Sequence, residues 1–216
     1  MKKGILIVII LFCQNSFCQI FTFDRFIEYK DSKGLTTVFM INSKNTGYYF
    51  FAGSYDKEII GNIIDLGNKV RHSYSVKNVK NVVQFEYLNS SMEPENKVPC
   101  HNKYNVIEVT KTTVDSLTTN FTVLKFKNSR KRKTIQSSNI KVVQSEIPVF
   151  SLIMKPFLYH FIFCQKIDFP EYYLPTSVDI NYFNGNKTRN ELIQNKEVSV
   201  LLSLNKTDIK LRNQEK

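Results

Sequence analysis

Residues 147–183 read IPVFSLIMKPFLYHFIFCQKIDFPEYYLPTSVDINYF, and the fold turns on how this stretch is taken. At its middle, Phe157 to Cys164 (FLYHFIFC) form an almost unbroken apolar run. Such a run faces water on neither side, so it reads as the central, buried strand of a sheet. Pro156, Pro170 and Pro175 exclude one long helix here and argue against a membrane span. Ahead of the run, Val149 to Met154 sits between Pro148 and Pro156 and suits a short buried helix or strand. Behind it, Val178-Asp179-Ile180-Asn181-Tyr182 alternates apolar with polar, and Asn184-Gly185-Asn186-Lys187 reads as a turn. In the strand that follows, Val198, Val200, Leu202 and Leu204 share one face, opposite Ser199 and Ser203.

Upstream, the chain reads as short strands with turn signals at regular spacing. Phe21 to Tyr29 is rich in aromatic residues and stops at Lys30-Asp31-Ser32-Lys33-Gly34. Thr36 to Ile41 follows, and Asn42 to Gly47 turns the chain into Tyr48-Tyr49-Phe50-Phe51. Ile59, Ile60, Ile63 and Ile64 fit one face of a helix. Gly67-Asn68, however, links this segment to the alternating Val70 to Val76, so a hairpin with a two-residue turn is the better reading. Val83 to Tyr87 alternates again. Residues 89–103 read as a surface loop from their Asn, Ser, Pro and Glu content. Tyr104 to Thr110 and Phe121 to Lys127 read as strands joined by a mixed connection, Thr112 to Asn120. Asn128 to Lys133 is a charged turn leading into Ile140 to Val143. The expected fold is therefore mainly β: an antiparallel meander forming a curved, partly closed sheet (a half-barrel) or a sandwich, with little helix.

Residues 1–18 carry a basic start, an apolar run from Ile5 to Phe12 and a small-residue end at Ser16 and Cys18, the features of a secretory signal peptide cut before Gln19. The competing reading is a lipoprotein acylated at Cys18, where the bulky Phe17 is unfavourable. The expected organisation is a signal peptide over 1–18, one β-rich domain over 19–205 and a polar tail over 206–216. Such a chain is exported, to the periplasm or the exterior, and its mature part has no transmembrane span. Removing two lysines and no acid from the net +11 leaves 28 basic and 19 acidic residues, or +9. In an exported protein that excess suits acidic lipid or glycan surfaces rather than nucleic acid, although lysine is abundant along the whole chain.

Cys100 and Cys164 are the cysteines of the mature chain and, in an oxidising compartment, are expected to form a disulfide. It would close a loop of about 64 residues, worth roughly 4 kcal/mol in the chain-entropy picture. Zinc held by Cys100, His101, His160 and Cys164 is the alternative, but the spacing matches no finger or ribbon, so no metal and no cofactor are expected. His72, inward-facing with Val70, Tyr74 and Val76, and His160 read as hydrogen-bonded core residues. Asp168 and Glu171, three apart, read as solvated loop acids. Nucleophile elbows, metalloprotease motifs and phosphate-cradling loops are absent, so no catalytic residue is assigned and the chain reads as non-enzymatic. Arg130, Lys131, Arg132 and Lys133 are the densest cationic cluster and the candidate anion contacts; the plainer reading is a solubilising hairpin tip. The chain holds 17 Phe and 11 Tyr but no Trp, enough to fill a core or to line an apolar cavity.

The end of the leader, NSFCQ, the opening FTFDRFIEYK, the turn INSKNTGYY and the hairpin YLPTSVDINYFNGNKT resemble small secreted proteins of unknown function from gram-negative bacteria. The hairpin, in which a proline opens a strand and Asn-Gly returns it, also resembles LolA-type lipoprotein carriers. That resemblance implies a curved antiparallel sheet sheltering acyl chains; no residue role is carried over from it. The expected function is a secreted binding protein holding a lipid, lipoprotein or other apolar or acyl-bearing ligand against an aromatic-lined sheet. The alternative is a periplasmic or surface module with a solid core that binds a protein partner at the cell envelope.

Overall fold

The computed structural model describes residues 18–55, 58–79, 82–92, 106–155, 157 and 169–205. Its strands are β1 (Cys18–Asp31), β2 (Thr36–Ile41), β3 (Tyr48–Tyr55), β4 (Glu58–Asp65), β5 (Val70–Val79), β6 (Val82–Met92), β7 (Val106–Thr113), β8 (Thr118–Phe126), β9 (Thr134–Gln144), β10 (Tyr173–Tyr182) and β11 (Lys187–Asn205). One short helix, α1, covers residues 150–155. All eleven strands form a single antiparallel sheet in the order β6-β5-β4-β3-β2-β1-β11-β10-β9-β8-β7. Two sequential meanders are thus joined through β1 and β11, and the sheet does not close between β6 and β7. The mainly β, meander architecture is the one the alternating segments indicate.

Local chemistry sets the hairpins. In the β1–β2 turn, the Asp31 carboxylate accepts the N–H groups of Lys33 and Leu35, both at 2.8 Å, and Gly34 supplies a φ of 86° that other residues resist. Asn42 does the same work after β2, accepting from Lys44 and Asn45. The β4–β5 link is a four-residue turn, 66–69, rather than a two-residue one. Asp65 accepts the Asn68 N–H at 2.9 Å, and Lys69 takes the left-handed conformation.

Two further expectations are corrected, and a third falls mostly outside the described residues. The described strands centre on β1 paired with β11; of the FLYHFIFC run expected at the centre, Phe157 is helical and residues 158–164 lie outside the described set. Residues 89–92 belong to β6 rather than to a loop, because pairing with β5 (His72 opposite Ser90) overrides their turn-like composition. Thr112 to Asn120 is mostly strand, reduced to a short turn at 114–117 between β7 and β8.

Adjacent residues point into opposite cores, as a pleated strand requires. Phe39 and Ile41 of β2, Tyr49 of β3 and Ile64 of β4 pack on one face with Ile153 of α1. Their neighbours Met40, Phe50 and Ile63 pack on the other face with Phe21, Phe23, Tyr74 and Leu204. The second core exists because the sheet folds over itself. In a flat sheet β1 and β5 are separated by about 19 Å, yet the Phe21 and His72 rings are 5.7 Å apart. A register shift between Phe23 and Arg25 marks where β1 leaves β2 and carries its first half, with the end of β11, across β3–β5. A third cluster, built on Phe121, Ile140 and Val178, packs against Phe150, Met154 and Phe169. α1 lies between it and the Phe39 cluster and serves both.

Candidate ligand-binding cleft

The sheet also splits between β10 and β11. β10 and β11 pair only where Ser177–Asn181 face Lys187–Glu191. Beyond that point the first residues of β10 stay with β9, while β11 continues along β1 to Asn205. Pro175 has no N–H to give to a ladder, and the β9–β10 register shifts between Pro175 and Ser177. A second shift lies in the β1–β11 ladder between Glu28 and Tyr29. The two irregularities let the strands diverge.

The gap holds a cleft of about 340 Å³, at the small end of ligand-binding pockets. Its apolar walls are Ile27 of β1, Val143 of β9, Ile147 and Val149 of the link into α1, and Leu174 of β10. Its polar groups are Arg25, Gln144, Ser145, Glu146 and Asn195. The Arg25 guanidinium is half-buried and reaches Glu197 at 3.3 Å, while that glutamate is largely in solvent. Next to the lining strands, the buried Tyr29 hydroxyl donates to the Pro175 carbonyl at 2.6 Å and ties β1 to β10 across the gap. Burial pushes the Tyr29 phenol pKa well up, so it stays a proton donor. The loop wall is held by Ser145, whose N–H donates to the Tyr172 carbonyl and whose hydroxyl accepts from the Ile147 N–H. Glu171 fixes α1: its carboxylate accepts from the Ser151 N–H and hydroxyl at the helix start, so it is a capping residue rather than a loose loop acid.

The aromatic residues do not line this cleft. They fill the clusters in edge-on and tilted contacts, such as Tyr29 with Phe39 and Phe150 with Phe169. Among the described residues most of the aromatic load is core, with Tyr172, Tyr182 and Phe183 left exposed, and the cleft walls are aliphatic. Arg130, Lys131, Arg132 and Lys133 are exposed at the β8–β9 turn, at the far end of β9 from the cleft, about 30 Å away at the rise of a strand. They do not form its rim. Arg25, which sequence reasoning did not single out, is the cleft's cation; only its place between Asp24 and Phe26 on an aromatic strand was legible.

His72 is indeed buried, and the structure supplies partners that the sequence hid. Its Nδ1 lies 2.6 Å from the Ser90 hydroxyl, which is 2.8 Å from the Tyr87 hydroxyl. Desolvation lowers the His72 pKa and nearby Asp65 partly opposes this. Burial alone would raise the Asp65 pKa, but hydrogen bonds from Asn68 and Gln19 bring it below the usual value. A histidine beside a serine can activate a nucleophile. Here His72 is 2% exposed and Ser90 0%, with the Phe21 ring packed on the imidazole, so no substrate reaches the pair. It is a core network.

Cys100, His101, His160 and Cys164 lie outside the described residues, and with them the disulfide and zinc readings; so does Asp168. Among the described residues no group of three metal-ligating side chains converges, and no helix is long and apolar enough to cross a membrane. No protein-family model and no curated protein matches the chain.

Proposed function

We propose that this is an exported, non-enzymatic binding protein whose cleft between β10 and β11 takes one amphiphilic ligand, an acyl chain ending in an anionic head group. The observation that carries this reading is the split in the sheet: aliphatic side chains wall it and Arg25 stands at its edge. An alkyl chain gains by leaving water against Ile27, Val143, Val149 and Leu174. Its carboxylate or phosphate would compete with the exposed Glu197 for the guanidinium, which offers a planar fork of donors. The volume suits a single chain of modest length. The carrier resemblance of the β10–β11 hairpin agrees with this class of ligand, and the filled aromatic core moves the ligand from an aromatic-lined interior to the split. Calorimetric titration with decanoate and with decanol tests the reading. Saturable decanoate binding with a negative heat-capacity change, and weaker decanol binding, are expected; no heat from either would reject it.

A second reading rests on a separate observation. The aromatic clusters are solid, and β6 and β7 each pair on one side only within the described residues. An extended peptide could add to such an edge. Backbone amides of β7 gaining exchange protection with a partner extract, without any decanoate binding, would favour it.

A further inference from the structure

Two turns meet at the end of the sheet farthest from the cleft. The β8–β9 turn is closed by the Lys127 N–H donating to the Lys133 carbonyl at 2.9 Å, with Lys131 in the left-handed conformation. The β10–β11 turn is closed by Gly185, whose N–H donates to the Tyr182 carbonyl. The pairing of β9 with β10 sets them side by side, and the Phe183 N–H donates to the Ile135 carbonyl at 3.0 Å. Lys127, Arg130, Lys131, Arg132, Lys133 and Lys187 are all exposed there, and neither turn contains an acid. Glu108 of β7 reaches in and pairs with Lys131.

An apolar feature sits among these charges. Phe183 is 64% exposed and Tyr182 40%. The Lys133 ammonium lies 3.7 Å from the Phe183 ring centroid, so one ring face is already covered by a cation. A turn meant only for solubility gains nothing from a projecting phenylalanine. Cations around a protruding aromatic ring match the boundary of a bilayer, where phosphates lie above and acyl chains below.

We propose that this double-turn tip docks on a membrane surface rich in anionic phospholipid, with Phe183 entering the interface and Arg130, Arg132 and Lys187 meeting the phosphates. The alternative polyanion, single-stranded nucleic acid, also uses cations and aromatic rings. It fits less well, because bases stack on open ring faces along a groove, whereas here the ring is capped and the cations crown two convex turns. Docking here leaves the cleft, at the other end of β10, facing away from the bilayer. The inference is independent of the cleft reading.

Because the chain has no Trp, Phe183→Trp places a single reporter at the tip. With vesicles of phosphatidylcholine and phosphatidylglycerol, its emission is expected to shift to the blue, and with phosphatidylcholine alone to stay unchanged. The shift should vanish in about 1 M salt, where screening shortens to roughly 3 Å. In sedimentation of the otherwise native chain, Arg130→Ser with Arg132→Ser should weaken anionic-vesicle binding at least tenfold, and Phe183→Ser several-fold at unchanged charge. Decanoate binding should survive both. No blue shift, equal binding to neutral vesicles, or an oligothymidylate that binds in place of vesicles would each overturn the proposal.

Discussion

The Tyr29 hydroxyl of the central strand and the Pro175 carbonyl of β10, 146 residues apart in sequence, are joined by a buried 2.6 Å hydrogen bond across the split between β10 and β11. The same bulged segment that opens the cleft is therefore also tied to β1. Tyr29→Phe keeps the ring contacts with Phe39 and Phe157 but leaves the Pro175 carbonyl without this partner. The expected loss is about 1–3 kcal/mol in urea unfolding. A loss of less than about 0.3 kcal/mol would show that the bond does not hold the split.

Gly61 marks a second close approach. A Cβ there would lie 2.4 Å from the Phe50 ring and 3.0 Å from Val76. Phe50 is locked in its cluster by Phe23 and Phe85 and has no room to retreat. Gly61→Ala should cost about 1–3 kcal/mol through overpacking. Thermal unfolding reads this directly, and an unchanged midpoint would mean that the ring swings aside freely.

Acid should destabilise the fold through the His72 network. Desolvation holds the folded-state pKa of His72 below the usual 6.5. The unfolded chain then takes up a proton at higher pH than the folded one, so stability present above 6.5 falls as the pH drops below it. Asp65, held below its usual 3.8, adds a further loss at lower pH, as the solution passes through its folded-state value. Urea midpoints between about pH 7.5 and 5 should decline for the native chain and stay flatter for His72→Leu, in which Ser90 keeps Tyr87 as a partner. Parallel curves for the two would exclude His72 as the sensor.

The hairpins were legible because their causes are local. Thr36 to Ile41 lies between Gly34 and Asn42, and its alternation and turn chemistry both sit within a few residues. Asn184-Gly185 ends β10 for the same reason. What stayed hidden depends on distant pairing. The shift at Phe23/Arg25 divides β1 between two cores, Phe21 and Phe23 in one and Ile27 and Tyr29 in the other, and neither it nor the shift at Pro175/Ser177 is announced by a local pattern. Ser90 looked like loop because Asn-Ser-Ser is loop-like, whereas His72 opposite makes it core. The cleft was the least legible feature, since it exists only because β10 and β11 part after pairing, and its walls come from four strands and a loop.

The Arg25–Glu197 pair gives the cleft reading a charge test. Glu197 is exposed and competes with any anionic head group for the guanidinium. Glu197→Gln should tighten decanoate binding several-fold and leave decanol unchanged, while Arg25→Gln should erase the preference for decanoate. Titration calorimetry separates these outcomes, and equal effects on both ligands would rule out a head-group role for Arg25.

The most direct measurement is a methyl-labelled NMR titration of the native chain with decanoate. Binding in the cleft should give saturable shifts concentrated on the methyls of Ile27, Val143, Ile147, Val149 and Leu174, and their loss in Leu174→Trp, where the indole fills the cleft. Shifts centred instead on the Phe21–Tyr74 core or on β6 and β7, or shifts that persist in Leu174→Trp, would contradict it.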